Sequence, residues 1–152
     1  MKFIFLINSL LFLIQLFAFG QSGFNIRNSS GELIEERKVD LSQACNQDSI
    51  YLFVTKEPTY KPGMDALEET LNNELQFDKK LRYSAHLMFL INCEGQASGF
   101  IHTDRENSEY IEKVIAILDE SQEWDSAKIG NRNVDRYMHM ILVLKQGKVK
   151  IK

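Results

Sequence analysis

Apolar positions along the chain alternate between two periods, and the changes of period mark out six elements after residue 48. Ile50 to Val54 is a run of β-formers and predicts a strand, broken off by Pro58 and Pro62-Gly63. Met64, Leu67, Leu71 and Leu75 then recur at spacings of three and four, so a helix with one apolar stripe is expected from Asp65 onward. Asp65, Glu68 and Glu69 fall in its first turns, where the helix dipole favours acids. Ala85 to Asn92 and Ala97 to Thr103 read as a hairpin around Cys93-Glu94-Gly95-Gln96, with Gly95 supplying the positive φ of a short loop. Asn107 or Ser108 can cap a second helix, whose stripe is Ile111, Val114, Ile115 and Leu118. Trp124 follows as a plug for the end of the core, then a polar bend containing Gly130 and a last strand from Arg136 to Lys145. Gly147 precedes what reads as a short basic tail, Lys148 to Lys152. The order strand-helix-strand-strand-helix-strand predicts an α+β fold.

Both faces of the predicted sheet are apolar. Leu87, Phe89 and Ile91 share one face of the hairpin while Met88 and Leu90 occupy the other, and the last strand repeats the pattern. A sheet with one solvated side alternates more cleanly, so the second face is expected to meet something.

The segments before residue 49 have a different character. Lys2 followed by an apolar run from Phe3 to Phe19, ending in Ala18-Phe19-Gly20, reads as a signal peptide over 1–20. The competing reading is an uncleaved inner-membrane anchor through residues 3–19. Residues 21–48 form a polar lead-in with a short strand at Leu33–Ile34, and 49–152 form the domain. With cleavage the chain is periplasmic or secreted. Roughly 130 residues then remain, enough for one modest core.

Charge narrows the partner class. The net charge is −3, and loss of Lys2 with the leader makes it −4, which argues against nucleic acid. Cys45 and Cys93 form an even pair in an exported chain, and a disulfide and two separate thiols are both open readings. No metal site is expected, since two isolated cysteines lack paired ligand spacing.

Catalytic chemistry is not written in the chain. His86, His102 and His139 each sit in a predicted strand without helical ligand spacing, and there is no nucleophile elbow, phosphate loop or dinucleotide motif. His102 and Asp104 could converge on one point, but a strand-end histidine beside a turn explains them as well. The expectation is a protein that is not an enzyme and has no cofactor.

Two segments frame the domain: Ser49 to Met64, with Pro58-Thr59-Tyr60-Lys61-Pro62-Gly63 inside it, and Trp124-Asp125-Ser126-Ala127 followed by Gly130 and Val134. Together with the Gly95 hairpin they resemble the C-terminal domain of TonB, in the versions found in Bacteroidetes, over roughly Ile50 to Lys150. The chain departs from that pattern at Phe77-Asp78, at Ser126 and across Leu142–Gly147. The resemblance implies two helices on one face of an antiparallel sheet of about three strands. It also implies that Pro58, Tyr60, Pro62, Gly63, Gly95, Trp124 and Gly130 are structural. Its partners would be outer-membrane transporters, whose short N-terminal segment adds as a strand beside the last one. That assigns Val134, Arg136, Tyr137, Met138, His139, Met140, Ile141 and Leu142 as a candidate edge strand for partner binding. A long Pro-rich spacer, which energy coupling requires, is not seen: the chain has two prolines, both in the domain. The alternatives are a domain that homodimerises through the same apolar strands without a transporter partner, and a small-ligand-binding protein or enzyme with a pocket near Trp124 and His102.

Overall fold

The computed structural model describes residues 23–27, 33–103 and 108–152. The expected signal peptide and the expected cap at Asn107 therefore lie outside the described residues. Among the described residues, no helix is long and apolar enough to cross a membrane.

The elements run in the order β1 (Gly23–Arg27), β2 (Leu33–Lys38), β3 (Thr59–Tyr60), α1 (Met64–Glu74), β4 (Arg82–Ile91), β5 (Ala97–His102), α2 (Ser108–Ser121), β6 (Trp124–Asp125), β7 (Ala127–Ile129), β8 (Arg132–Val134), β9 (Arg136–Lys145) and β10 (Lys148–Ile151). The fold is α+β, with two helices among the described residues and antiparallel strand pairing throughout the named sheets.

The principal sheet has four strands in the order β10-β9-β4-β5. β4 and β9 pair along their whole ten-residue length, from Arg82↔Lys145 to Ile91↔Arg136, without a register shift. The expected hairpin forms β4 and β5, and its register slips once near Phe89. Gly95 closes it at φ 83, packed so tightly that a Cβ there would lie 2.2 Å from the Trp124 carbonyl oxygen. Only glycine fits such a turn.

One face of this sheet carries the core. Ala85, Leu87, Phe89 and Ile91 of β4 meet Met140, Leu142 and Leu144 of β9 and Val149 of β10. Leu67 and Leu71 of α1 and Ile111, Val114 and Leu118 of α2 join the same cluster, so both helices bury their stripes against one face. Each fully buried aliphatic side chain contributes about 1.5–3 kcal/mol through water exclusion. Trp124 is buried as expected, edge-on to both Tyr60 and Phe89.

Three expectations need correction. Ile50–Val54 forms no strand. Tyr51 makes a single parallel bridge to Arg136, and the next two carbonyl positions are claimed by a side chain: Arg136 Nη1 donates to the carbonyls of Tyr51 and Leu52. A ladder cannot form where a guanidinium already holds its acceptors, and Leu52 and Phe53 are left exposed. The basic tail is instead β10, an added fourth strand of the sheet, with Val149 pointing into the core and the lysines away from it. As a result β9 is an inner strand rather than the edge strand that the resemblance implied: Leu142 to Lys145 face β10 on one side and β4 on the other. The polar bend also orders more than expected, forming the β7–β8 hairpin with Gly130 in its turn.

The lead-in is longer and more structured than Leu33–Ile34. β1 and β2 pair with each other, and the chain after β2 packs along β5. A Cβ on Gly99 would lie 2.3 Å from the Asp40 carbonyl oxygen, which is why that strand position is glycine.

Candidate functional site

The outer margins of the sheet decide where a partner strand could bind, because an edge strand presents unsatisfied N–H and C=O groups. Both margins are met by side chains, an amide on each and a charged group beside it. On β10, Asn72 of α1 accepts from the Val149 N–H and donates to the Val149 carbonyl, each at 2.9 Å. Glu68 accepts from the Ile151 N–H at 3.0 Å. On β5, Gln122 accepts from the Ala97 N–H at 3.3 Å and donates to its carbonyl at 3.4 Å, and Arg37 donates to the His102 carbonyl at 2.7 Å. A carboxamide carries one acceptor and one donor side by side, so it satisfies a strand residue as another strand would.

A third stretch of margin is arranged differently. β10 stops before β9 does: Ile141 exchanges both main-chain bonds with Lys152, and at the other end Tyr51 N–H donates to the Asp135 carbonyl. Between these points lie Tyr137 to Met140. Since Ile141 turns its main-chain groups toward β10, strand alternation turns those of Tyr137 and His139 the same way. A groove of about 270 Å³ opens beside this stretch, with Met138, His139 and Met140 on one side and Pro58, Met64 and Ile151 among its other walls.

The residues of the implied binding strand therefore divide. Met138 and His139 border the groove; Met140 and Leu142 are in the core; Val134 is buried at the end of β8. Arg136 makes a bidentate pair with Glu57, at 3.0 and 3.1 Å, that fastens the segment 51–57 to the start of β9. Tyr137 and Ile141 are half-buried on the face away from the helices. Pro58, Tyr60 and Trp124 are buried together at the base of the groove segment, while Pro62 is exposed and Gly63 begins α1 at φ 98. Burial, and then Glu123, raises the Tyr60 hydroxyl above its ordinary value, so it stays protonated.

Cys45 and Cys93 are joined in a disulfide, Cα–Cα 6.0 Å. Asp135 sits beside it, 2% exposed, with one carboxylate oxygen accepting from the Cys93 N–H and the other from the Asn46 N–H, both at 2.7 Å. These three residues are the cluster with metal-ligand spacing among those described. The sulfurs are consumed by their mutual bond, and a thiolate is what a metal would take.

The histidines occupy separate surroundings. His102 is buried and its Nε2 lies 3.1 Å from Glu112 Oε1, a hydrogen bond that ties β5 to α2; Asp104 is outside the described residues. His86 Nδ1 and His139 Nε2 lie 2.9 Å apart with ring centres 5.1 Å apart. Stacked rings could not bring two atoms that close, so the rings meet edge to edge and share one N–H···N hydrogen bond. Burial, and then His86, lowers the readiness of His139 to take a proton.

No family model matches the chain, and neither a curated protein nor a solved structure matches it.

Proposed function

We propose that this chain is a non-enzymatic, exported protein-interaction module of the kind that the TonB C-terminal domain exemplifies. It binds an extended segment of an envelope protein, an outer-membrane transporter or a relative of one, in the groove beside Tyr137–Met140. The observation that carries the reading is the groove itself: side chains meet the β10 and β5 margins, and the Tyr137–Met140 stretch borders an opening walled by Met138, Met140, Pro58 and Met64. An extended peptide would lie in this groove as a prolongation of β10 along β9, its side chains meeting those walls. The exposed Leu52 and Phe53 lie in the segment that Arg136 fastens at the end of this margin, where they can cover an incoming side chain.

A photo-reactive residue at Thr59, an exposed groove position, tests this in intact cells. The expected product is a cross-link to a second envelope protein that disappears in His139→Pro, which removes an N–H on the groove side and leaves the β4 ladder intact. A cross-link only between two copies of the chain would establish the homodimer instead. Cross-linking that persists in a folded His139→Pro variant would defeat strand addition.

A further inference from the structure

The chain is acidic overall, yet its four-stranded sheet contains no Asp or Glu in β4, β5, β9 or β10. Eight of the 21 acids are in the helical layer opposite. α1 carries Asp65, Glu68, Glu69 and Glu74 with no Lys or Arg, and α2 carries Glu109, Glu112, Asp119 and Glu120 against Lys113 alone. The register sorts the sheet's cations further. Met140, Leu142 and Leu144 point to the helices, so Lys145 points away from them, and with it its direct partners Arg82 and Lys148. Lys150, opposite Val143, and Lys152, bonded to Ile141, fall on the same side. All five cations are exposed.

Geometry makes this an array rather than a scatter. Arg82, Lys145 and Lys148 lie in a row across three strands at spacings of about 4.8 Å, and Lys148, Lys150 and Lys152 follow β10 at about 6.8 Å. Beside them lie Ile141, Val143 and Met88, half-buried side chains over which long lysine stems can lie.

We propose that this face of the sheet, turned away from both described helices, docks on an anionic lipid bilayer. A plane of monovalent phosphates is the partner that offers charge to every position of a flat grid at once. The acidic helices then point away from the surface, which fixes the orientation. A single-stranded nucleic acid would need exposed rings for its bases to stack on. Of the rings on this face, Tyr137 is half-buried with its hydroxyl enclosed, and the imidazoles of His86 and His139 are joined edge to edge. The groove opens on the Met138–Met140 side of the sheet and shares His139 and Lys152 with this face, while Arg82, Lys145, Lys148 and Lys150 lie outside it.

The test uses the protein purified from expressing cells, in the N-terminal form that they make, co-sedimented with phosphatidylcholine vesicles with and without a quarter of phosphatidylglycerol. Binding should require phosphatidylglycerol and weaken as NaCl rises. Lys148→Gln/Lys150→Gln should weaken it about 25-fold, at roughly five-fold per lost charge, and Lys148→Arg/Lys150→Arg should preserve it. Lys113→Gln, which removes one charge on the helical side, should leave it unchanged. Equal binding to both vesicles, or a roughly five-fold loss with Lys113→Gln, overturns the proposal. So does binding to an oligonucleotide or heparin without binding to vesicles. His139→Pro should bind vesicles normally, so the groove and this face fail or stand separately.

Discussion

Asp135 shows how much one buried carboxylate can hold. It reaches the chain on both sides of the disulfide, at Asn46 and Cys93, while its own carbonyl accepts from Tyr51. Asp135→Ala would strand two N–H donors in a buried place and should cost about 3 kcal/mol in urea unfolding. The sequence offered no hint of this, because a single polar residue between Val134 and Arg136 looks like any loop residue. The His86–His139 contact was equally hidden: each histidine was legible as a strand residue, but only the β4–β9 register brings their rings together. Since the folded His139 takes a proton less readily than a free imidazole, the unfolded chain is protonated first as pH falls. Its contribution to stability is complete above the ordinary histidine value of about 6.5 and is lost below it. His139→Gln should therefore reduce the difference between urea midpoints measured at pH 7.5 and pH 5.5.

At the scale of elements, periodicity identified what packing later required. Both helices, the β4–β5 hairpin and β9 were readable because each buries a stripe or face with the matching period. β10 escaped because its charge drew attention from its alternation: Lys148-Val149-Lys150-Ile151-Lys152 has period two, and Gln146-Gly147, both at positive φ, form the turn before it. Ile50–Val54 erred the other way, since β-propensity cannot make a strand whose acceptors a guanidinium has taken. The groove went unseen for the same reason as β10, whose end defines one wall of it. Asn72 had no signal at all, being one amide among the polar positions of a helix. Asn72→Ala should cost about 2 kcal/mol and bare the β10 margin, so that sedimentation shows concentration-dependent association where the parent shows none.

Among the described residues, the molecule is a sheet with an acidic helical layer on one face and a row of exposed cations on the other, its segment around Cys45 tied to the end of β4 by a disulfide. The bond spans 48 residues, which in the chain-entropy model stabilises by about 4 kcal/mol. Cys45→Ser/Cys93→Ser should lose about that much, and hydrogen exchange should quicken over residues 43–57 well before it does in β4 and β9. Charge segregation was the part of the whole least legible beforehand: a net charge of −3 conceals a sheet without a single acid.

The amides that close the sheet also set a timetable. Asn72 belongs to α1 and Gln122 follows α2, so neither margin can be covered until its helix has docked. During refolding there is consequently an interval in which a formed sheet is sticky at both ends, although the finished molecule is not. Yield on rapid dilution from urea should fall steeply with protein concentration, while the native protein tolerates concentration without loss. A chain built this way gains from emerging slowly and alone, so its most hazardous moment is its own assembly.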